Sequence, residues 1–425
     1  MSRLSRRDCL GQAMAWTAAA ALAQGAFAAE GPKRDIKHGR GHAHHHRKFD
    51  KAGTAPDSLN GIAYEKGLAF GSCIGTGIKN ANTTTGLKQF AKMKVGFDDP
   101  QMRALLVAQC GILVPENELK LYALRPDPKT LDFSRADKLM GFADQYGFAM
   151  RGHTLLWNRG QWLPEWVNKL DFGAKPGAAA EKFLADHIKK VCTRYGEHIF
   201  SYDVVNESIA PATGEMEESP FTKAMGPEVI DFCFHAAREA APKAQLVYND
   251  YMSWSPKDAA HRAGVLKLLE RLKKANVPID ALGLQAHIGS NGMGTATGLV
   301  GDADLVEWKK FLDAVTAMGL DLVITEFDVN DKYVSGTAAQ RDRVVADYAK
   351  AYLDIALAYP QTRYIMAWGL VDKYSWLQNT SPRPDGLPKR PLPYDDDFQP
   401  KLLRQAIVDA IAAAPVRPLL PMTTA

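Results

Sequence analysis

Two glutamates follow short apolar runs in this chain of 425 residues, and together they could carry out one specific reaction. Glu207 ends residues 203–207 (DVVNE), and Glu326 lies within residues 324–329 (ITEFDV). Two carboxyl groups about 5–5.5 Å apart can hydrolyse a glycosidic bond with retention of configuration. One protonates the departing oxygen while the other attacks the anomeric carbon. These tasks require pKa values that the surroundings move in opposite directions. We therefore take Glu207 and Glu326 as candidate catalytic residues.

Other apolar runs end in groups that suit a sugar. Amides and charged side chains can hydrogen-bond hydroxyl groups, and flat indoles can stack on the C–H face of a sugar ring. The sequence contains no phosphate-cradling glycine-rich loop and no HExxH pattern. These features predict a polar, uncharged, ring-shaped substrate. The groups at the run ends are Glu116, Asn117, Lys120, His153, Trp157, Asn206, Gln285, His287, Trp368 and Trp376.

Beyond residue 60, the chain repeats one pattern: a short β-rich run, often apolar on both faces, followed by an amphipathic stretch. The starts of successive runs lie roughly 35–50 residues apart. Helical periodicity is clearest in residues 134–146, 264–274 and 340–359, and residues 400–413 supply a last helix. The eight runs are residues 68–74, 112–115, 148–157, 199–205, 246–250, 279–288, 320–329 and 364–371.

This alternation predicts one α/β domain, a single (β/α)8 TIM barrel over residues 59–415, with a C-terminal tail at 416–425. A β-propeller has a similar repeat length, but its blades lack long helical spacers. In a barrel of this kind, the chemistry lies at the carboxyl ends of the strands. Glu207 and Glu326, at the ends of the fourth and seventh runs, should therefore face each other across one opening.

Composition excludes several other classes of protein. Hydrophobic residues make up 46% of the chain, which rules out wholesale disorder. Charged residues make up 24%, and the formal net charge of +4 argues against a nucleic-acid partner. No apolar run outside the N-terminus approaches 20 residues, which rules out a polytopic membrane protein.

Residues 1–28 predict a twin-arginine signal peptide. Arg6 and Arg7 precede a mild, alanine-rich apolar stretch, and residues 26–28 (AFA) form a cleavage site. A short membrane anchor is the alternative, but the apolar stretch is short and contains Thr17. We expect a periplasmic or secreted enzyme with no membrane contact after cleavage.

Residues 29–58 predict a solvated, polar linker, with a metal-binding histidine tract at residues 42–46 as the alternative. Four cysteines remain after cleavage: Cys73, Cys110, Cys192 and Cys233. Their spacing does not match paired metal ligands, so buried thiols and one late disulfide both stay open. The sequence predicts no cofactor and no catalytic metal.

At this level of detail, the chain resembles the endo-β-1,4-xylanases of glycoside hydrolase family 10. The resemblance extends from about residue 67 to the last helix. A single NE or TE dipeptide would carry no weight, but seven motifs occur on consecutive strand ends in the family's order. They are PENELK, RGHTLLW, DVVNE, YNDY, GLQAHI, ITEFDV and WGLVDKYSWL.

The resemblance implies a role for individual residues. Glu207 would be the general acid/base and Glu326 the nucleophile, with His287 and Asp328 holding the nucleophile ionised and oriented. Asn206 would hydrogen-bond the 2-hydroxyl of the sugar being cleaved. Xylan or a xylo-oligosaccharide would be the substrate, and we expect a monomer. Further substrate contacts are implied for Glu116, Asn117, Lys120, His153, Trp157, Asn158, Gln161, Tyr251, Gln285, His287, Trp368 and Trp376.

The chain departs from the family pattern beside the cleaved sugar. Asn158 stands where the family usually has histidine, and Gln161 matches a substrate-binding glutamine only if one residue is inserted before it. The loop at residues 289–301 is long and rich in glycine. These changes keep two alternatives open: a member adapted to short xylo-oligosaccharides, aryl glycosides or a β-glucan, and a non-catalytic carbohydrate-binding barrel.

Some neighbouring residues we assign to structure instead. Asp203 and Asp250 are interpreted as structural hydrogen-bonding groups. Trp162 and Trp166 are interpreted as loop or helix-packing aromatics.

Overall fold

The strands close into an eight-stranded parallel barrel, as the repeat predicts. The computed structural model describes residues 52–77, 93–289 and 301–418. The strands pair in chain order, and the first pairs with the last to close the ring. The strands are β1 (Ala69–Ile74), β2 (Ile112–Pro115), β3 (Ala149–Trp157), β4 (Ile199–Asn206), β5 (Gln245–Asp250), β6 (Ala281–Leu284), β7 (His287–Gly289), β8 (Asp321–Asn330) and β9 (Thr362–Ala367).

The sixth run of the sequence forms two strands instead of one. β6 and β7 both pair with β8, and they are separated by Gln285 and Ala286. Ala286 has a φ of 57°, in the left-handed region that extended strands do not use. The ladder is therefore interrupted where the chain reaches the opening of the barrel.

Helices surround the barrel, and their apolar faces pack on it. The observed helix of residues Ser134–Tyr146 matches the predicted bounds. The helices are α1 (Leu59–Tyr64), α2 (Pro100–Gln109), α3 (Leu121–Leu124), α4 (Ser134–Tyr146), α5 (Glu165–Asn168), α6 (Pro176–Tyr195), α7 (Pro220–Met225), α8 (Glu228–Ala240), α9 (Ala259–Lys274), α10 (Asp302–Ala317), α11 (Ala338–Leu357), α12 (Leu377–Thr380) and α13 (Leu402–Ala413).

Two apolar cores follow from the alternation of side chains along each strand. The larger one lies between the strands and the helices. A smaller one fills the barrel and includes Ile112, Val247 and Val323. Above this inner core lies a buried ion pair of Arg151 and Asp203, with 2.5 Å between Arg151 Nη2 and Asp203 Oδ1. The interior therefore becomes polar toward the carboxyl ends of the strands.

The folded domain is larger than predicted at both ends. Ala52 is buried, and the amide of Gly53 donates to the Val107 carbonyl at 2.8 Å, so residues 52–58 belong to the fold and not to the linker. At the other end, Arg417 is buried and donates to the carbonyls of Leu357 and Thr362. Neither segment has a periodic apolar pattern in its sequence, and only their packing partners distinguish them from solvated chain.

The signal peptide and the histidine tract lie outside the described residues, as does nearly all of the long loop at 289–301. Cys73, Cys110, Cys192 and Cys233 are buried free thiols, which decides the question the sequence left open. Among the residues that the structure describes, no helix is long and apolar enough to span a membrane.

Candidate active site

A cleft of about 360 Å³ opens at the carboxyl ends of the strands. It contains both candidate catalytic glutamates and ten of the further side chains that the sequence assigned to sugar binding. It also contains three that the sequence did not assign to sugar binding: Arg159, Trp162 and Thr380. The lining residues are Glu116, Asn117, Lys120, Trp157, Arg159, Gln161, Trp162, Glu207, Tyr251, Gln285, His287, Glu326, Trp368, Trp376 and Thr380.

Glu326 lies within β8, and its carboxylate is held ionised. Its Oε1 accepts from Asn249 Nδ2 at 2.8 Å, and its Oε2 accepts from His287 Nε2 at 3.2 Å. Burial acts to raise the pKa of Glu326, but the nearby His153, His287 and Lys120 outweigh burial and lower the pKa to about 2. A buried, ionised carboxylate with two fixed donors is suited to act as a nucleophile.

His287 is in turn held by Asp328, its neighbour in the register between β7 and β8. His287 Nδ1 lies 3.0 Å from Asp328 Oδ2, and the same oxygen accepts from Trp376 Nε1 at 2.8 Å. Burial opposes the charge on His287, yet Asp328 and Glu326 raise its pKa to about 10. The imidazole is therefore a cation whose two nitrogens face two carboxylates.

Glu207 has the opposite environment. It follows β4 with a φ of 53°, which is uncommon for a residue other than glycine and is found at functional sites. Burial raises the pKa of its carboxyl group, and the negative charges of Asp250 and Glu326 add to that effect. The hydrogen bond from Gln285 and the charge of Arg159 act against it, but the pKa stays above its ordinary value. Such a carboxyl group can hold a proton for a leaving group.

A chain of amides joins the two carboxylates. Asn249 Nδ2 donates to Glu326 Oε1 and to Asn206 Oδ1, both at 2.8 Å. Gln285 Nε2 donates to Asn206 Oδ1 at 3.2 Å and to Glu207 Oε1 at 2.9 Å. The register places Asn206 opposite Asn249 and Asn249 opposite Gly283. A Cβ on Gly283 would lie 2.2 Å from Asn249 Oδ1, so this close approach requires glycine.

Sequence reasoning did not assign Asn249 to the site, although it lies in the YNDY motif at the end of β5. The signal that could have found Asn249 was its position at a strand end, just before Asp250, which was assigned to structure, and Tyr251, which was assigned to substrate binding. The bond to Glu326 joins residues 77 positions apart, so no local pattern indicates it.

One end of the cleft is lined from β2 and β3. Lys120 Nζ lies 3.2 Å from Asn117 Oδ1 and 4.6 Å from the centre of the Trp157 ring. Burial, with the charges of Glu118 and Glu326, raises the pKa of Glu116 to about 7, although Lys120 opposes this. Trp162 stacks on Trp157 with 4.7 Å between ring centres, so it contributes an aromatic surface to the cleft that we had assigned to packing.

Three residues predicted to bind substrate do not line the cleft: Asn206, His153 and Asn158. Asn206 lies behind it, within the amide chain. His153 is buried below it, with Nδ1 2.9 Å from Asp203 Oδ2 and 3.9 Å from Glu326 Oε1. Asp203 is therefore structural, as interpreted, and holds this histidine.

The prediction of a sugar contact for Asn158 needs correction. Its side chain is fully buried; Oδ1 accepts from Ser219 Oγ at 2.7 Å and Nδ2 donates to Thr222 Oγ1 at 3.2 Å. Asn158 therefore fixes the loop after β4. The next residue, Arg159, reaches the candidate catalytic carboxyl group instead, since its Nη1 lies 3.2 Å from Glu207 Oε2.

Comparison with known proteins identifies similar chains. The model of the family described as Glycosyl hydrolase family 10 matches residues 75–410. Endo-1,4-beta-xylanase A of Caldicellulosiruptor saccharolyticus is 30% identical over 316 residues, which cover 70% of this chain and 86% of that protein. Endo-1,4-beta-xylanase A of Caldicellulosiruptor sp. strain Rt8B.4 is 31% identical over 70% of this chain, but the match spans only 42% of that longer protein.

A solved xylanase structure has a fold similar to that of this chain. Xylanase 10B from Thermotoga petrophila, in complex with xylobiose, superposes with a TM-score of 0.69 at 27% identity, covering 83% of this chain and 97% of the other.

Proposed function

Because the chain belongs to glycosyl hydrolase family 10, we propose that it is a retaining endo-1,4-β-xylanase, which cleaves internal β-1,4 bonds of xylan. The observation that carries this proposal is the contrast between two glutamates in one cleft. The pKa of Glu326 is lowered to about 2, and that of Glu207 is raised. The similar proteins named above are endo-1,4-β-xylanases, and one of the solved structures holds xylobiose.

In the first step, the Glu326 carboxylate attacks the anomeric carbon while Glu207 gives its proton to the departing oxygen. A covalent glycosyl-enzyme results, and the leaving chain departs as an alcohol. In the second step, Glu207 takes a proton from water, the oxygen attacks the same carbon, and the bond to Glu326 breaks. Two inversions restore the β configuration.

The two protonation states that the first step needs coexist between the lowered pKa of Glu326 and the raised pKa of Glu207. Glu326 must be ionised to attack, and it is ionised above a pH of about 2. Glu207 must be protonated to act as an acid, so the first step is lost as the pH rises through its raised pKa. The first step is therefore supported between these two values.

The site residues support a distribution of sugar-binding roles. Asn206 uses Oδ1 within the amide chain, and its Nδ2 donates to Glu207 Oε1 at 3.4 Å, so the second N–H of this amide would donate to the 2-hydroxyl of the cleaved sugar. Glu116, Asn117 and Lys120 would hold the next sugar toward the non-reducing end. Tyr251, beside Glu207, would lie on the leaving-group side. The remaining predicted contacts on the cleft wall are Trp157, Gln161, Gln285, His287, Trp368 and Trp376.

We expect the purified chain to shorten linear β-1,4-xylan rapidly and to release a ladder of xylo-oligosaccharides, because the proposed contacts hold sugars on both sides of the cleaved bond. Chromatography of the products over time, with cello-oligosaccharides as the control substrate, measures this. NMR of the first product should show the β anomer. An inert polymer with active short substrates would contradict the endo specificity, and an initial α anomer would contradict retention.

We also propose that residues 1–28 direct export by the twin-arginine route and are removed, and that the active species is a monomer. Export is supported by Arg6, Arg7 and the AFA site, and a monomer is expected because a cleft that cuts a polymer gains nothing obvious from association. Native mass spectrometry of the exported protein should give one chain beginning at Ala29. A retained N-terminus or a multiple of that mass would contradict the respective proposal.

A further inference from the structure

We propose that Arg159 is a positioning residue for the general acid/base. Its guanidinium group is shared between Glu207 and Glu217, and it stabilises the carboxylate that Glu207 becomes when it gives up its proton. This inference rests on the proposed role of Glu207. It concerns a residue that the sequence left unassigned, in the segment where the chain departs from the family pattern.

The contacts of Arg159 involve both ends of its guanidinium fork. Nη1 donates to Glu207 Oε2 at 3.2 Å and to the Tyr251 hydroxyl at 3.1 Å. Nη2 lies 3.1 Å from Glu217 Oε1. The side chain of Arg159 is 20% exposed, and that of Glu207 is 9% exposed. A planar group with donors on both sides fixes the direction of each carboxylate as well as the distance.

The backbone on both sides of this contact is anchored. Asn158 is buried and bonded to Ser219, at the end of the loop that also carries Glu217, and to Thr222 in α7. The Glu217 amide donates to the Ser208 carbonyl at 2.8 Å, and the Glu217 carbonyl accepts from Thr222 Oγ1 at 3.1 Å. Arg159 and Glu217 are therefore held against each other by one hydrogen-bonded network, and the arginine is directed at Glu207.

This geometry matters because the charge of Glu207 changes during the reaction. Proton transfer to the leaving oxygen creates a negative charge in a buried site, which is costly unless a cation or donors meet it. Asp250 and Glu326 are negative and oppose that charge. Arg159 touches the carboxyl group and favours it. The titratable and charged groups that face Glu207 from the surrounding elements are Lys120, Arg159, Glu217, Tyr248, Asp250, Tyr251 and Glu326.

Glu217 moderates this effect. It competes with Glu207 for the same guanidinium group. Removing the charge of Glu217 should therefore strengthen the interaction of Arg159 with Glu207 and lower the pKa of Glu207. Removing the charge of Arg159 has the reverse effect. The two substitutions should therefore move the ionisation of Glu207 in opposite directions, which general damage to the site does not do.

The test measures kcat/KM against pH for Arg159→Met and Glu217→Gln, with xylotetraose as the substrate that needs acid assistance. An opposite charge in contact typically lowers the pKa of a carboxyl group by about one unit or more. The alkaline limb should therefore move up by about one pH unit in Arg159→Met. It should move down in Glu217→Gln. Arg159→Lys, which keeps the charge but loses the fork, should fall between Arg159→Met and the unmodified chain.

A second substrate separates this role from a structural one. With 2,4-dinitrophenyl β-xylobioside, the leaving group departs without a proton, so Arg159→Met should lose less than about threefold in kcat/KM. With xylotetraose, we expect a loss of about tenfold, because a weaker acid protonates the leaving oxygen less readily. Arg194→Met, which removes an arginine paired with Asp137 on the outer helices, is the matched control and should leave both limbs in place.

The inference would be overturned if the alkaline limb of the pH profile stayed in place in both Arg159→Met and Glu217→Gln. Equal losses of kcat/KM on the two substrates, or a change confined to KM, would also overturn it. Circular dichroism verifies that Arg159→Met is folded, and if it is not, Glu217→Gln and Arg159→Lys carry the test. If the unmodified chain does not cleave xylotetraose, the proposed function fails before Arg159 is tested.

Discussion

Replacing Glu326 with alanine should reduce the hydrolysis of xylan by at least about 10⁴-fold, because groups that act as one catalytic unit show losses of that order when one is removed. The variant has no carboxylate to attack the anomeric carbon, and no other carboxylate is held by both Asn249 and His287 in the described part of the chain. Initial rates on xylan, with folding followed by circular dichroism, measure this. The matched control is Glu307→Ala, an exposed glutamate on α10 that pairs with Lys310.

The same residue should be directly detectable as the covalent partner of the sugar. A 2-deoxy-2-fluoro xylobioside with a good leaving group slows both steps, and the second more than the first, so the glycosyl-enzyme accumulates. Mass spectrometry of peptides should place the added mass on Glu326. A label on another residue, or appreciable turnover by a folded Glu326→Ala variant, would contradict the assignment of the nucleophile.

Replacing Glu207 with alanine should also reduce hydrolysis of xylan strongly, by about 10²- to 10⁴-fold, the usual contribution of a general acid. The expected pattern differs from that of Glu326. Formation of the glycosyl-enzyme from 2,4-dinitrophenyl β-xylobioside needs no acid, so it should proceed nearly unimpaired, and the intermediate should then accumulate. Steady-state and burst kinetics on the two substrates measure the contrast.

Azide provides the decisive control for Glu207. A small anion can enter the space left by the carboxylate and attack the glycosyl-enzyme without a general base, restoring turnover of the aryl glycoside. The product should be the β-xylobiosyl azide, since the anion attacks the face that water normally attacks. No rescue, equal losses on both substrates, or an α-azide would each contradict the role of Glu207. The same azide should not rescue Glu326→Ala with a β product.

The sequence predicted the barrel well because its signal is local and repeated. The period of the apolar positions distinguishes a strand from a helix within about ten residues, both in the β-rich runs and in the amphipathic spacers. The predicted bounds of the helix Ser134–Tyr146 and of the strand Ile112–Pro115 are those that the structure shows. The sixth run was less well predicted, because Gln285 and Ala286 interrupt the ladder for reasons that lie in neighbouring strands. The packed segments 52–58 and 416–418 were missed for the same reason.

The site was predicted in part, and residues 158 and 159 show why only in part. The motif places an amide and a guanidinium group on adjacent positions of one loop, and either could face the cleft. Asn158 turns inward because Ser219 and Thr222 satisfy both ends of its amide, and Arg159 then reaches Glu207. Those partners lie about 60 residues away in sequence. Asn249 was missed similarly, since its bond to Glu326 joins β5 to β8, which are distant in sequence.

The sequence by itself determined the barrel and the two carboxylates at its opening, because strand-end position follows from chain order once the strands are parallel. Only the tertiary structure decided which of the two carboxyl groups has its pKa lowered and which has its pKa raised. The pKa of Glu326 is lowered because His153, His287 and Lys120 outweigh its burial. The pKa of Glu207 is raised because its burial and the charge of Asp250 outweigh Gln285 and Arg159. Charge interactions act through space between distant segments, and their strength depends on distances that no local pattern of residues specifies.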